Sequence, residues 1–278
     1  MYVDTSKKKI LGVKCFVIKI TNYCQPLDYS RGSACPVDVG SPQGIMISMS
    51  RRNFTFAIGE YYHLYTRGVD KREIFVNDHD RNRLAYLLYL SNGDKKFDVQ
   101  KIFRECDVSE IFKLDTGKPL VSICAWVFMD NHFHILVKGI RDEGISKFMK
   151  NLCGAYSRYF NIKHKRSGAL FESRFKARHI DTDTYLKYVF SYIHLNPVKI
   201  IPTETHWKEK GIKDLPKAKK FLSRYTYTSL LDFLTPDSRF YEAILAREAM
   251  PEYFPNPNSV WQETVEWLNF VEVGSPQR

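Results

Sequence analysis

No run in the 278-residue sequence approaches the roughly 18 apolar residues of a membrane-spanning helix, and Lys14 and Lys19 break the early apolar stretch, spoiling it as a secretion signal. There is also no C-x-x-C pair. The six cysteines stand at Cys15, Cys24, Cys35, Cys106, Cys124 and Cys153, none beside a histidine pair, which argues against a zinc ribbon or finger. Cys24 and Cys35 are candidates to pair, but a cytoplasmic chain keeps such thiols reduced. The cytoplasm is the expected compartment, and all six are read as structural or incidental. Acidic residues are scarce, 31 against 42 Lys and Arg, leaving a net charge of +11 and a pI near 9.2. That imbalance suggests a polyanionic partner, and nucleic acid and membrane surfaces both qualify. A composition of 44% hydrophobic and 26% charged residues is otherwise that of an ordinary globular protein. The length allows a full core, as one large domain or as a catalytic domain with extensions.

Three regions are expected along the chain. Residues 1–48 carry Pro26, Pro36, Pro42, Gly32, Gly40 and Gly44 with little periodicity, which suggests a loose or non-native leader, with Met46 or Met49 as alternative starts. Val37-Asp38-Val39-Gly40-Ser41-Pro42-Gln43 returns almost unchanged as Val271-Glu272-Val273-Gly274-Ser275-Pro276-Gln277. Chance likeness and translated DNA repeats flanking the gene both explain it. Residues 49–200 form the expected catalytic domain, and residues 201–278 a basic linker with a helical extension.

Within 49–200 the pattern predicts a strand over 61–66, a helix over 78–90, a loop or short insertion over 92–118, and a strand pair over 120–138. A helix over 145–162, a strand over 171–180 and a helix from 185 to Asn196-Pro197 follow. Asp181-Thr182-Asp183-Thr184 supplies capping residues for that last helix. The order suits an α+β fold: a ferredoxin-like antiparallel sheet with helices on one face and the other face free for a ligand.

The strand pair meets at Asp130-Asn131, residues that tolerate the positive φ of a tight hairpin turn. Just beyond it, His132 and His134 are two residues apart and share one sheet face, while Phe133, Ile135 and Val137 take the other. Paired imidazoles on a sheet surface suit a metal, although single strand histidines are commonly packed or solvated. Much of the positive charge follows directly: from Arg141 to Ile180 there are ten Lys or Arg against three acids. Lys147 and Lys150 read as a solvated helix face, but Arg174, Lys176 and Arg178 alternate onto one strand face. Such a stripe suits phosphate contacts, and aromatics such as Tyr65 and Phe171 are candidates to stack bases or to fill the core.

The segment Met129-Asp130-Asn131-His132-Phe133-His134-Ile135-Leu136-Val137 resembles the His-hydrophobic-His motif of the single-tyrosine HUH transposases, which include small insertion-sequence and REP-associated tyrosine transposases. Three further blocks agree in order and spacing over about 51–200: Tyr62-His63-Leu64-Tyr65-Thr66-Arg67-Gly68, Ser167-Gly168-Ala169-Leu170-Phe171-Glu172-Ser173-Arg174-Phe175-Lys176, and Tyr192-Ile193-His194-Leu195-Asn196-Pro197-Val198-Lys199. Asp130 departs from the proline usual before the Asn-His pair. The resemblance implies a divalent metal, Mg or Mn, on His132 and His134, with Tyr192 as nucleophile. Tyr185 and Tyr188 compete on residue type alone. A third ligand is expected: Asn196 sits one helical turn after Tyr192 and either reaches the metal or simply ends the helix, with Glu172 and Asp130 as alternatives. Arg67, Lys165, Arg166, Arg174, Lys176 and Arg178 are the expected DNA contacts. The implied reaction is tyrosine attack on single-stranded DNA beside hairpins formed by palindromic repeats, by a homodimer without a membrane role. The alternatives are a domesticated DNA-binding protein of the same fold, and a relaxase, which usually carries a helicase or other domain.

Overall fold

The computed structural model describes residues 55–266, apart from Glu252, Phe254 and Pro255. The expected leader over 1–48 and the repeated segments at 37–43 and 271–277 lie outside the described residues.

Four antiparallel strands make one sheet: β1 (Tyr61–Arg67), β2 (Val121–Met129), β3 (His132–Gly139) and β4 (Lys176–Ile180), in the order β2-β3-β1-β4. With α1 (Asp78–Ser91) between β1 and β2, and α4 (Gly144–Lys163) between β3 and β4, this is the expected ferredoxin-like arrangement. The stretch between α1 and β2, expected as loop, contains two short helices, α2 (Val99–Glu105) and α3 (Val108–Ile111). An Asp98 side chain that accepts from Lys101 N starts α2, and a reciprocal Asp107–Glu110 capping box starts α3.

One sheet face is packed by α1 and α4. Tyr62 and Leu64 of β1, Trp126 and Phe128 of β2, and Phe133, Ile135 and Val137 of β3 join Leu84, Leu87, Phe148 and Leu152 in one core. Asp80 ties the two helices together: fully buried, it meets Lys163 Nζ at 2.7 Å, Tyr159 Oη at 2.9 Å and Val76 N at 2.9 Å. These bonds hold the carboxylate in its ionised form, below the usual range despite burial.

The opposite face is not left free, as the pattern had suggested. α5 (Asp183–Leu195) lies across it, with Leu186, Val189, Phe190 and Ile193 packed against Ala125, Val127 and Leu136. Thr182 caps α5 by accepting from Tyr185 N, and the helix gives way at Asn196-Pro197 to a 3-10 turn, Asn196–Ile200. The chain after it forms the expected helical extension, with α6 (Trp207–Lys210), α7 (Leu215–Leu222), α8 (Leu230–Leu234) and α9 (Pro257–Glu266). Part of it pairs with the edge strand β2, through Phe128 N to Tyr227 O, Ser229 N to Trp126 O and Ala246 N to Ile123 O. The C-terminal segment thereby covers an edge that would otherwise offer unpaired backbone groups.

Two local expectations are corrected. Met129 faces His132 across a two-residue turn, but neither Asp130 nor Asn131 takes a positive φ. The turn is held from outside: Asp130 O accepts from Ile74 N, Asn131 O from Gly68 N, and Asn131 Nδ2 donates to Lys71 O. The left-handed conformations fall instead at Asp70 and Lys71. β4 is also shorter than predicted. It begins at Lys176, so Arg174 lies in the bend before it, while Phe175 turns inward to stack on Phe56.

Candidate active site

Strand register sets the site. On the face covered by α5, β3 presents His132, His134 and Leu136, β1 presents Arg67, Tyr65 and His63 beside them, and β4 adds Lys176 opposite Tyr65 and Arg178 opposite His63. Going along the strands the surface passes from polar to apolar, and α5 rests on the apolar end. A cleft of about 510 Å³ remains at the polar end. It is lined by His63, His132 and His134 from the sheet and by Tyr185, Tyr188 and Tyr192 from α5. Five cations border it, Arg67, Lys176, Arg178, Lys199 and Lys208, against the single carboxylate of Glu172. Glu172 is paired with Lys176 at 3.3 Å, so the cleft has a strong positive excess suited to phosphate.

The three tyrosines recur at helical spacing, and their rings stack in sequence at centroid distances of 6.1 Å. Tyr192 stands at the inner end of that ladder. Its ring centroid is 5.5 Å from His134 and 5.9 Å from His63, all within one chain. The His132 and His134 rings are 5.0 Å apart, edge to face.

Hydrogen bonds narrow the tautomers. Asn131, oriented by its amide donation to Lys71 O, points Oδ1 at His132 Nδ1 at 2.6 Å. A ring nitrogen facing an amide oxygen carries the proton, so His132 keeps its Nε2 lone pair. His134 Nδ1 lies 2.8 Å from His63 Nε2, while its own Nε2 is buried without a protein partner. A buried N–H left unpaired costs about 1–3 kcal/mol, which favours the proton on Nδ1, donated to His63, and a free lone pair on Nε2. Burial keeps the rings neutral: it pushes His63 and His132 down to about 3, and His134 well below the ordinary imidazole value, with Lys208 and other nearby charges adding to the effect. Two neutral imidazoles with free Nε2 atoms and their other nitrogens engaged fit a divalent metal's nitrogen donors. Among the described residues no group of three or more His, Cys, Asp or Glu side chains forms a metal cage.

The remaining sequence candidates divide. Arg67, Lys176 and Arg178 border the cleft, and hydrogen bonding to Tyr65 and Tyr185 holds the Arg178 guanidinium protonated. Lys165, Arg166 and Arg174 do not line it. Arg166 braces the turn after α4 by donating to Asn161 Oδ1 at 2.6 Å. Asn196 is fully buried at the end of α5 and outside the cleft lining; neither Nδ2 nor Oδ1 has a protein partner. His194, also fully buried, meets Ser229 Oγ at 2.8 Å and is structural. Three site residues escaped the sequence reading, among them Lys199, which stood in a quoted motif without a role. His63 lay in a quoted motif without a role, although alternation places it with Tyr65 and Arg67. Lys208 lies in a segment with no chemical signature, and no local signal could have found it.

The ferredoxin-like sheet thus aligns two histidines beneath a helix-borne tyrosine within one chain. The profile described as "Transposase IS200 like" matches residues 58–196, half the chain, and the protein belongs to that family. The resemblance drawn from the motifs is thus borne out, and with it a DNA-processing enzyme class. Among curated proteins none matches the chain. A solved "REP associates tyrosine transposase bound to a REP hairpin" is similar, at 14% identity and a TM-score of 0.42, covering 73% of this chain and 89% of that one.

Proposed function

We propose that the protein is a metal-dependent transposase that cuts and rejoins single-stranded DNA, with Tyr192 as nucleophile. The observation that carries this reading is the position of Tyr192, 5.5 Å from His134 in a cleft dominated by cations. Of the three tyrosines on that helix face, it is the one in ring contact with both His63 and His134.

Tyr192 Oη attacks the scissile phosphorus, the bond to the 3′-oxygen breaks, and a 5′-phosphotyrosine forms with a free 3′-hydroxyl. The covalent bond conserves the phosphodiester energy, so reversal onto another 3′-end joins strands without a nucleotide cofactor. Mg²⁺ or Mn²⁺ on His132 and His134, when bound, supplies Lewis-acid polarisation of the phosphate oxygen. Asn196 Oδ1, unpaired in the protein, is the chain's further oxygen candidate for that ion. Arg67, Lys176 and Arg178 hold the backbone phosphates, while Tyr65, Tyr185 and Tyr188 offer faces on which unpaired bases stack. Lys165, Arg166 and Arg174, outside the cleft, are left to contact flanking DNA. The catalytic unit is taken as residues 49–200, acting in the cytoplasm on hairpins formed by palindromic repeats, and as a homodimer. Since Tyr192 and the histidines meet within one chain, such a dimer does not need to exchange its tyrosine helices to complete the site. No helix among the described residues is long and apolar enough to cross a membrane.

Labelled single-stranded hairpin DNA with Mn²⁺ tests the assignment. The wild-type protein is expected to form a denaturant-resistant protein–DNA adduct, and Tyr192→Phe none. An adduct that survives in Tyr192→Phe removes the nucleophile from this role. Tight binding without any wild-type adduct would make the chain a binding protein of the same fold.

A further inference from the structure

The segment following the family match brings a lysine onto the nucleophile. α6 is one turn long and is anchored by Trp207, which is 4% exposed. Its neighbour Lys208 reaches into the cleft, donates from Nζ to Tyr192 Oη at 2.5 Å, and lies 4.0 Å from the Tyr192 ring centroid. Resting on the site reading above, we propose that Lys208 takes the proton from Tyr192 as it attacks DNA, and returns it when the phosphotyrosine bond is reversed.

The other groups in the cleft are poor candidates. Arginines keep their protons near neutral pH. Glu172 is engaged by Lys176, and His63 by His134. His132 and His134 have their Nε2 lone pairs set aside for a metal. Lys208 is the group in hydrogen-bond contact with the atom that must lose a proton, which is the first requirement of a general base.

Its surroundings favour a free amine. Arg67 from β1 faces it with like charge and His63, His132 and His134 face it from the sheet as neutral rings, whereas Glu209 on its own turn and a hydrogen bond with Lys199 from the 3-10 turn work the other way. Burial dominates and lowers the Lys208 ammonium to about 8. A lysine so placed is partly neutral near physiological pH, where base and acid roles are both available.

In the forward step the Tyr192 Oη–H proton moves to the Lys208 amine, the Oη–P bond forms, the P–O3′ bond breaks, and the departing 3′-oxygen takes a proton from water. In reversal an incoming 3′-hydroxyl gives its proton to water, the new O3′–P bond forms as Oη–P breaks, and the Lys208 ammonium reprotonates Tyr192.

Single-turnover adduct formation on labelled hairpin DNA with saturating Mn²⁺, followed from well below to well above pH 8, tests this. The wild-type rate is expected to rise with pH and level off near about 8. Lys208→Ala is expected to slow adduct formation by about 100-fold or more, to lose that rise, and to recover part of the rate with methylamine. Lys208→Arg is expected to bind uncleaved DNA normally yet remain slow, because a guanidinium does not accept the proton. A wild-type rate and pH profile in Lys208→Ala overturns the proposal. So does full recovery in Lys208→Arg, or a defect confined to DNA affinity. Thermal unfolding identifies any folding defect in the alanine variant, in which case the arginine variant decides. Failure of the underlying site reading looks different: the wild-type protein forms no adduct, or Tyr192→Phe still does.

Discussion

His63 shows how a residue without a direct chemical step shapes the site. Its Nε2 accepts the proton of His134 Nδ1, which leaves His134 Nε2 as a buried lone pair without a protein partner. Outer contacts of this kind commonly govern 10–100-fold in metal affinity. His63→Phe, which keeps a ring but removes the acceptor, is expected to weaken Mn²⁺ binding by about that factor. Calorimetric titration measures it, and an unchanged affinity would refute the tautomer assignment. The histidine pair itself was readable from the sequence, because strand alternation puts residues two apart on one face whatever the sheet order. His63 was not, because its link to His134 runs diagonally between β1 and β3 and needs their pairing and register.

At the level of elements, α5 carries Tyr192 and is held from both sides. Thr182 starts it, the apolar row Leu186, Val189, Phe190 and Ile193 seats it, and His194 anchors its end to Ser229. Ser229 Oγ also accepts from Trp126 N of β2 at 2.9 Å, so one hydroxyl joins helix, strand and C-terminal segment. Ser229→Ala strands these buried partners and is expected to cost about 1–3 kcal/mol, whereas Thr182→Ala removes one exposed cap worth about 1 kcal/mol. Denaturant midpoints compare them, and a Ser229→Ala destabilisation no larger than that of Thr182→Ala would contradict the junction role. The α5 boundaries were legible from Thr182 and Pro197. The helical character of the chain beyond 201 was legible too, but not its seat, since its packing on β2 and α5 joins positions far apart in sequence.

For the whole molecule, part of the charge excess seen in the composition gathers at one place. The cleft gathers Arg67, Lys176 and Arg178 from two strands and Lys199 and Lys208 from the chain beyond α5. Single-strand binding is therefore expected to weaken steeply with salt. Replacing Lys176 and Arg178 together by alanine is expected to lower the logarithmic salt slope by about 0.7 for each phosphate that is no longer neutralised. Fluorescence titrations of labelled DNA over a salt series measure this, and an unchanged slope would place the phosphate path elsewhere. Arg174 joined Lys176 and Arg178 in the sequence pattern but not in the strand, because alternation holds only where backbone pairing exists, and pairing begins at Lys176.

Local chain chemistry by itself determined the β-α-β-β-α-β order, the hairpin, the histidine pair and the capped tyrosine helix. Each depends on neighbours a few residues away, through alternation, helical spacing or capping. Only the tertiary structure decided that Tyr192 meets both His134 and His63, that His63 sets the His134 tautomer, and that α5 and the C-terminal segment close the second sheet face. It also brought Lys208 to Tyr192. Those contacts join positions far apart in sequence, so their geometry comes from strand register and helix packing, which no local pattern encodes.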